Sequence, residues 1–369
     1  MLDFHGIVFA YYATPELGEL VSKRTAASLP FCGRYRLIDF ALSSMSNAGI
    51  RDVGVILQRD YQSLLDHIGS GKAWDMSRKN GGLRILPPFG LPEYHTGNYS
   101  GTMEALNAVS EYIRDIPQKH IVLMLGDMCA NIDLRPVMEQ HLRSGAPITA
   151  IVTDQENEDT HHRYVLGDNG FVREILCDRQ GGEGYASLEA YIIEKSTLLE
   201  LMDECDARNR HQFHRDAMTE YLSRGGEMDL YVHTGYARIV RSVRAYDQAN
   251  RDMLDAEKRH ELFPVERPVR TRAHEGVSTY YGVNARSVNS LVADNCIIEG
   301  ELDHCIVFSG VRVREGAKLE NCIIMRGCTI EKNARLCNVI ADKDCYFSEN
   351  TMLIGSAKLP TVIPKGKEL

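Results

Sequence analysis

The chain has 369 residues, 44% of them hydrophobic and 25% charged, with a formal net charge of −9 at pH 7. This length can bury two or three cores, and an acidic balance with no long Lys/Arg run excludes a general nucleic-acid binder. The apolar stretch from Phe4 to Ala10 is interrupted by His5 and is too short for a membrane span or a secretory leader, so a cytoplasmic location and no membrane partner are expected.

The run Ile7–Ala10 predicts a first buried strand. A phosphate-binding turn after such a strand needs glycines, because backbone N–H groups must approach an anion closely. Here "FAYYATPELGEL" (9–20) has no glycine before Gly18, and Pro15 removes a donor. Helix-spaced segments follow at 38–49, 61–71, 102–115 and 134–146, alternating with strand-like runs at 52–57, 120–125 and 147–153. The alternation predicts an α/β, mostly parallel mixed sheet, whose ligands sit outside the carboxyl ends of the strands. "GDM" (126–128) directly follows one such strand.

Beyond residue 262 the period changes. "VREGAKL" (313–319) aligns with "IEKNARL" (330–336) at a spacing of 17, and the same spacing relates "HCIV" (304–307), "NCII" (321–324) and "NVIA" (338–341). Coils of that length, each with three short sides, predict a parallel β-helix of about four coils starting near Leu291. The expected division is 1–262 for the α/β domain, 263–288 for a Pro- and Arg-bearing linker, and 289–369 for the β-helix. The chain has ten cysteines and no CxxC pair; Cys296, Cys305, Cys322, Cys328, Cys337 and Cys345 fall in the repeats among Ile, Val and Leu. Reduced, buried thiols packing as small hydrophobes are expected.

The segments "PFCGRYRLIDFALSSMSNAGIRDVGVILQ" (30–58), "LDHIGSG" (65–71), "LRILPP" (83–88), "YSGTMEAL" (99–106), "LGDM" (125–128) and "RPVRT" (267–271) resemble the bacterial glucose-1-phosphate adenylyltransferase (ADP-glucose pyrophosphorylase) family. The resemblance implies a Rossmann-like nucleotidyltransferase domain followed by a short left-handed β-helix. It also implies a chemistry in which a glucose phosphate oxygen attacks the α-phosphorus of ATP, with Mg²⁺ and protein cations neutralising charge.

Against that family pattern, the departures cluster at the chemistry. The glycine loop is missing, and Ala26 in "KRTAAS" (23–28) replaces a lysine. Ile239 in "ARIVRS" (237–242) stands where the second metal aspartate belongs, and Ser100 stands where catalytic members carry a cation. "CDR" (177–179) and "SLE" (187–189) replace the sugar-phosphate segments, and Glu189 adds a negative charge there. Asp127 matches the first metal aspartate, with a structural cap after the strand as the competing reading. The resemblance is therefore to the D-type, regulatory subunit, expected to be inactive or very weak alone and to form a heterotetramer with a catalytic subunit. No catalytic residue and no firm cofactor is assigned to this chain; Mg²⁺ belongs to the partner's reaction.

Lys23, Arg24 and Arg36 match positions at which family members bind phosphorylated activators, so phosphate or sugar-phosphate effectors are expected there; a solvated charged face is the alternative. Pro30 replaces a family histidine in that group. Gln58, Gly101 and Thr102 are nucleotide-side candidates, with core-edge hydrogen bonding the other reading of Gln58. His161–His162 reads as a polar loop and Cys32 as a packed thiol. Two other functions stand beside the regulatory one: an active nucleotidyltransferase with substitute residues, and an acyltransferase of the hexapeptide type, for which His304 is the one histidine in the repeats.

Overall fold

Short apolar runs bounded by turn residues form the strands of a central sheet, and the helical segments between them cover it. The computed structural model describes residues 3–12, 14–79, 81–87, 99–155, 159–179, 181–273 and 275–369. The chain divides into two compact units, neither continuous in sequence: residues 1–12, 38–239 and 262–270 form one, and residues 13–37, 240–261 and 271–369 form the other.

In the first unit, strands Phe4–Phe9, Val53–Ile56, Leu83–Leu86 and His120–Leu125 pair in parallel in the order Leu83–Leu86, Val53–Ile56, Phe4–Phe9, His120–Leu125. The long strand Tyr185–Glu194 then pairs antiparallel with His120–Leu125, with Ile148–Thr153 and with His162–Leu166. Met228–His233 lies parallel to Ile148–Thr153, and Val172–Cys177 antiparallel to His162–Leu166. Seven of the nine strands thus run one way; Tyr185–Glu194 and Val172–Cys177 oppose them. The mixed, mostly parallel sheet agrees with the expectation.

Helix Ile38–Asn47 is buried over nearly its whole surface, and its polar residues all find partners. The Asp39 carboxylate bonds His67 Nε2 at 2.5 Å, Ser46 Oγ donates to Trp74 O at 2.7 Å, and Ser44 Oγ accepts from Ile132 N at 3.0 Å. The helix at Leu134–Ser144 begins on an Asp133 cap that accepts from Arg135 N, and ends at Gly145 with φ 70°. The helix expected across 102–115 is two, Thr102–Asn107 and Ser110–Asp115, parted at Ala108–Val109. The apolar spacing runs through that break, so periodicity does not register it.

The 262–270 segment is not a free linker. Asn131 Nδ2 donates to Leu262 O at 3.1 Å and to Arg267 O at 2.7 Å, and Trp74 Nε1 donates to Arg270 O at 3.1 Å. Those bonds tie it into the first unit. Residues 240–261, expected within the α/β domain, instead pack in the second unit.

The second unit is built on the β-helix: three sheets, each of five parallel strands. Partner positions are 17 residues apart through most coils (Lys318↔Arg335), shortening to 15 at Arg286↔Glu301 and lengthening to 22 at Val339↔Thr361. Its strands begin at Tyr280, earlier than the expected start near Leu291. The first-coil strands Tyr280–Tyr281 and Arg286–Val288 are exposed, so they lack the aliphatic signal that marks later coils.

Left-handed backbone turns the corners. His304, Asn321 and Asn338 (φ 51°, 53°, 53°) form one row; Gly316, Asn333 and Asn350 a second; Gly310, Gly327 and Asp344 a third. Asn, Asp and Gly are the residues that tolerate this region, which is why the repeat reads "H/N-C-I" at its start. Cys296, Cys305, Cys322, Cys328 and Cys345 are buried in the core, as expected, whereas Cys337 is only partly buried; all ten cysteines are free thiols. Helix Val243–Asp252 packs in the same unit, where Arg251 donates to Asn321 Oδ1 at 3.0 Å and to Asn321 O at 2.9 Å.

Candidate functional site

Because Phe4–Phe9, Val53–Ile56 and His120–Leu125 are parallel neighbours, their carboxyl ends form one edge. Ligands of such sheets bind at that edge. Tyr11–Tyr12, Gln58 and Asp127 all stand on it. The antiparallel strand Tyr185–Glu194 brings its early residues, including Glu189, to the same side.

The chain leaving Phe9 fills this edge with side chains. The Tyr11 and Tyr12 rings stack with centroids 4.5 Å apart, and Tyr99 meets Tyr11 edge-on at 5.2 Å. Thr102 Oγ1 lies 3.2 Å from Tyr11 Oη and 3.0 Å from Tyr12 Oη. Thr102, expected on the nucleotide side, is therefore engaged with the two tyrosines. Gly101 is dictated by a close approach: a Cβ there would lie 2.1 Å from His211 O. Its backbone partner is protein, since Met103 N donates to that same carbonyl at 3.0 Å. Ser100 is exposed and its carbonyl accepts from Gln212 Nε2 at 2.7 Å.

Beside the tyrosines lies a small pocket lined by Phe9, Tyr12, Thr102, Leu123, Leu125, Glu189, Tyr191, Phe213 and His214. No Lys or Arg is among these residues. Two of the lining groups belong to a hydrogen-bonded chain: Tyr164 Oη to Tyr191 Oη at 2.9 Å, and Tyr191 Oη to His214 Nε2 at 2.5 Å. The His214 ring stacks on His162 with centroids 3.8 Å apart. Burial pushes the Tyr191 and Tyr164 hydroxyls far up, so both stay protonated. Glu189 sits at φ 48° on a bulge where the pairing of Ser187 and Ala190 with Ile148–Thr153 shifts register, and its N–H donates to Ser187 Oγ at 3.0 Å. A non-glycine residue is thus held in the left-handed region, at a cost of about 1–3 kcal/mol.

Asp127 is buried just beyond His120–Leu125. The next residues, Met128–Ala130, pair antiparallel with Ala237–Ile239, and Ile239 stands opposite Met128. An apolar, fully buried side chain thus adjoins Asp127 where a second carboxylate would complete a metal pair. Among the described residues no group of three His, Cys, Asp or Glu is arranged to hold a metal ion. One buried carboxylate beside isoleucine does not fit a hydrated divalent cation, which needs several oxygen ligands. Gln58 is buried at the end of Val53–Ile56.

The basic candidates fall in the other unit. Lys23 is exposed. Arg24 is buried and ion-paired to Asp342, a buried residue just after the β-helix strand Val339–Ala341. Burial, helped by the charges of Arg36, Arg24 and Lys365, pushes the Lys343 ammonium down to about 8, against the pull of Asp342. Arg24 and Arg36 are therefore joined by Lys343 and Lys365 in one basic cluster. Asp342 and Lys343 directly follow "NVIA" (338–341), and a charged pair closing an otherwise aliphatic repeat is the sequence signal that marks them. Pro30 pairs with Arg36 in a short hairpin, and its carbonyl accepts from Tyr246 Oη at 2.6 Å.

Comparison with known proteins matches two successive stretches of the chain. The nucleotidyl transferase family model matches residues 17–254, and a GlmU-like C-terminal hexapeptide model matches residues 276–358. The glycogen biosynthesis protein GlgD of Bacillus subtilis (strain 168) is 31% identical over 350 residues, covering 95% of this chain and 92% of that one. The chain belongs to the nucleotidyl transferase family, among GlgD and the glucose-1-phosphate adenylyltransferases. Within that family, the glucose-1-phosphate adenylyltransferase of Clostridium beijerinckii is 30% identical, covering 80% of this chain and 78% of that protein. The one from Bacillus cytotoxicus is 29% identical, with 82% of both chains covered. The matches cover both the sheet domain and the hexapeptide repeats. No helix among the described residues is long and apolar enough to cross a membrane.

Proposed function

We propose that this chain is a regulatory, catalytically impaired member of the family. It would support ADP-glucose synthesis from ATP and glucose 1-phosphate, in glycogen biosynthesis in the cytoplasm, through a heterotetramer with a catalytic subunit. The observation that carries the reading is the Tyr11–Tyr12–Thr102 cluster, which fills the space a triphosphate loop would use. A cavity without Lys or Arg, and an isoleucine beside Asp127, support it further. Phosphoryl transfer depends on positioning and on charge neutralisation. A site holding one glutamate and neutral tyrosines works against both, so Mg²⁺ and turnover are assigned to the partner.

Regulation requires that binding favour one state of that partner, since equal affinity for two states shifts nothing. The basic cluster of Arg24, Arg36, Lys343 and Lys365 suits a phosphate or sugar-phosphate effector through charge-assisted hydrogen bonds. The test is size-exclusion chromatography of this chain mixed with the catalytic subunit of its own organism, followed by an ADP-glucose assay. Co-elution with higher turnover or a changed effector response is expected. Separate peaks with the partner's kinetics unchanged overturn the reading. Retention of Asp127 favours the second reading, an active enzyme with substitute residues, and rapid pyrophosphate release by this chain alone would establish it.

A further inference from the structure

We propose that Asp342 is a resident counter-ion of the basic cluster, so that an effector phosphate binds by exchange with this carboxylate rather than by addition. The inference rests on the effector reading just given and names how that site is regulated. Arg24 is 5% exposed; its Nη2 pairs with Asp342 Oδ2, and its Nη1 is buried with no hydrogen-bond partner among the described residues. The other Asp342 oxygen, Oδ1, accepts from Lys343 N at 2.7 Å. One carboxylate therefore answers one arm of the Arg24 fork and leaves the other arm orphaned.

The rest of the cluster is mostly cationic. The charges of Arg36, Arg24 and Lys365 together depress Lys343 against the pull of Asp342, and the second carboxylate nearby, Asp344, is exposed and lies 3.9 Å from Lys365 Nζ. A buried ion pair that is only structural has its remaining donors satisfied, because desolvation otherwise exceeds the Coulombic gain. A phosphate carries more charge and more acceptor oxygens than a carboxylate, and suits a two-armed guanidinium contact. It can take both arms only if Asp342 gives up its place.

The backbone allows that exchange without unfolding. Asp342 N donates to Ile363 O at 2.9 Å, and Asp342 O accepts from Cys328 Sγ at 3.0 Å. The main chain is held by the coil, and a turn about the side-chain torsions suffices to release the carboxylate.

The experiment is isothermal titration of the full chain with inorganic phosphate at constant ionic strength, comparing wild type, Asp342→Asn and Lys343→Met. Exchange predicts phosphate binding at least tenfold tighter in Asp342→Asn than in wild type, and weaker binding in Lys343→Met. Equal affinity in wild type and Asp342→Asn overturns the exchange while leaving the effector site standing. Absence of binding in both overturns the exchange and the effector reading together. If Asp342→Asn does not fold, a crystal structure of the wild-type chain at saturating phosphate decides. Phosphate on Arg24 with Asp342 turned away supports the proposal; phosphate beside an intact Arg24–Asp342 pair, or no phosphate, overturns it.

Discussion

Two polar regions of this molecule treat negative charge in opposite ways. At the carboxyl edge of the sheet, the pocket is lined by aromatic and aliphatic groups, Thr102, His214 and Glu189, with no Lys or Arg among the described residues. In the β-helix unit, Arg24 is buried in an ion pair, and Arg36, Arg24 and Lys365 depress Lys343. The first region sets a carboxylate among hydroxyl and aliphatic groups, and the second gathers cations around a buried carboxylate. Fold and chemistry separate because the scaffold depends on apolar packing, whereas the site depends on a few charged side chains whose loss costs the fold nothing.

The largest effect that could break this contrast is catalytic. With ATP, glucose 1-phosphate and Mg²⁺, the isolated chain should turn over at least about 10³-fold more slowly than a catalytic relative, the scale on which one transition-state cation acts. Ile239→Asp alone should not restore the rate, because Tyr11, Tyr12 and Ala26 remain. Strong activity from that single substitution, in a coupled pyrophosphate assay, would show that the filled edge matters little.

A second effect tests the basic region as structure. Arg24→Ala strands the buried Asp342 carboxylate and should cost about 3–5 kcal/mol. Urea unfolding followed by circular dichroism measures it, and a loss below about 1 kcal/mol would mean the pair is hydrated. Smaller still is the corner term. Asn338 holds φ 53°, so Asn338→Val should destabilise by about 1–2 kcal/mol, with Asn338→Gly much milder. Similar midpoints for the two variants would show that backbone conformation is not what selects Asn in that row.

The smallest effect is a pH dependence. Lys343 titrates near 8 in the folded chain, below its usual 10.5. Between those values the unfolded chain binds the extra proton, so this residue makes stability rise with pH from about 8 to about 10.5. Lys343→Met should remove that increment from the pH profile of the melting temperature, and saturating phosphate should flatten it by favouring the charged ammonium. An unchanged slope in Lys343→Met would place Lys343 outside the charged cluster.

Much of this was legible in sequence. His120–Leu125 is apolar over most of its length and was located to the residue, because a buried parallel strand must be nearly continuous in hydrophobicity. The β-helix was legible from a recurrence of 17 because each coil repeats one corner residue and one set of inward side chains. Its first coil was not, since Tyr280–Tyr281 and Arg286–Val288 face solvent. The central antiparallel strand Tyr185–Glu194 is not legible either, since a bulge between Ser187 and Ala190 breaks its alternation.

By itself the sequence determined the two architectures, the absence of glycine between Phe9 and Gly18 and the isoleucine at 239, since each is a matter of local residue type and spacing. Tertiary structure alone decided that Thr102 closes on Tyr11 and Tyr12, that residues 240–261 belong with the β-helix, and that Arg24 is buried. The partner of Arg24 lies 318 residues away, and no periodicity or propensity carries a contact of that length. It exists because coil packing removes both groups from water, and a charge so removed must find its opposite within reach.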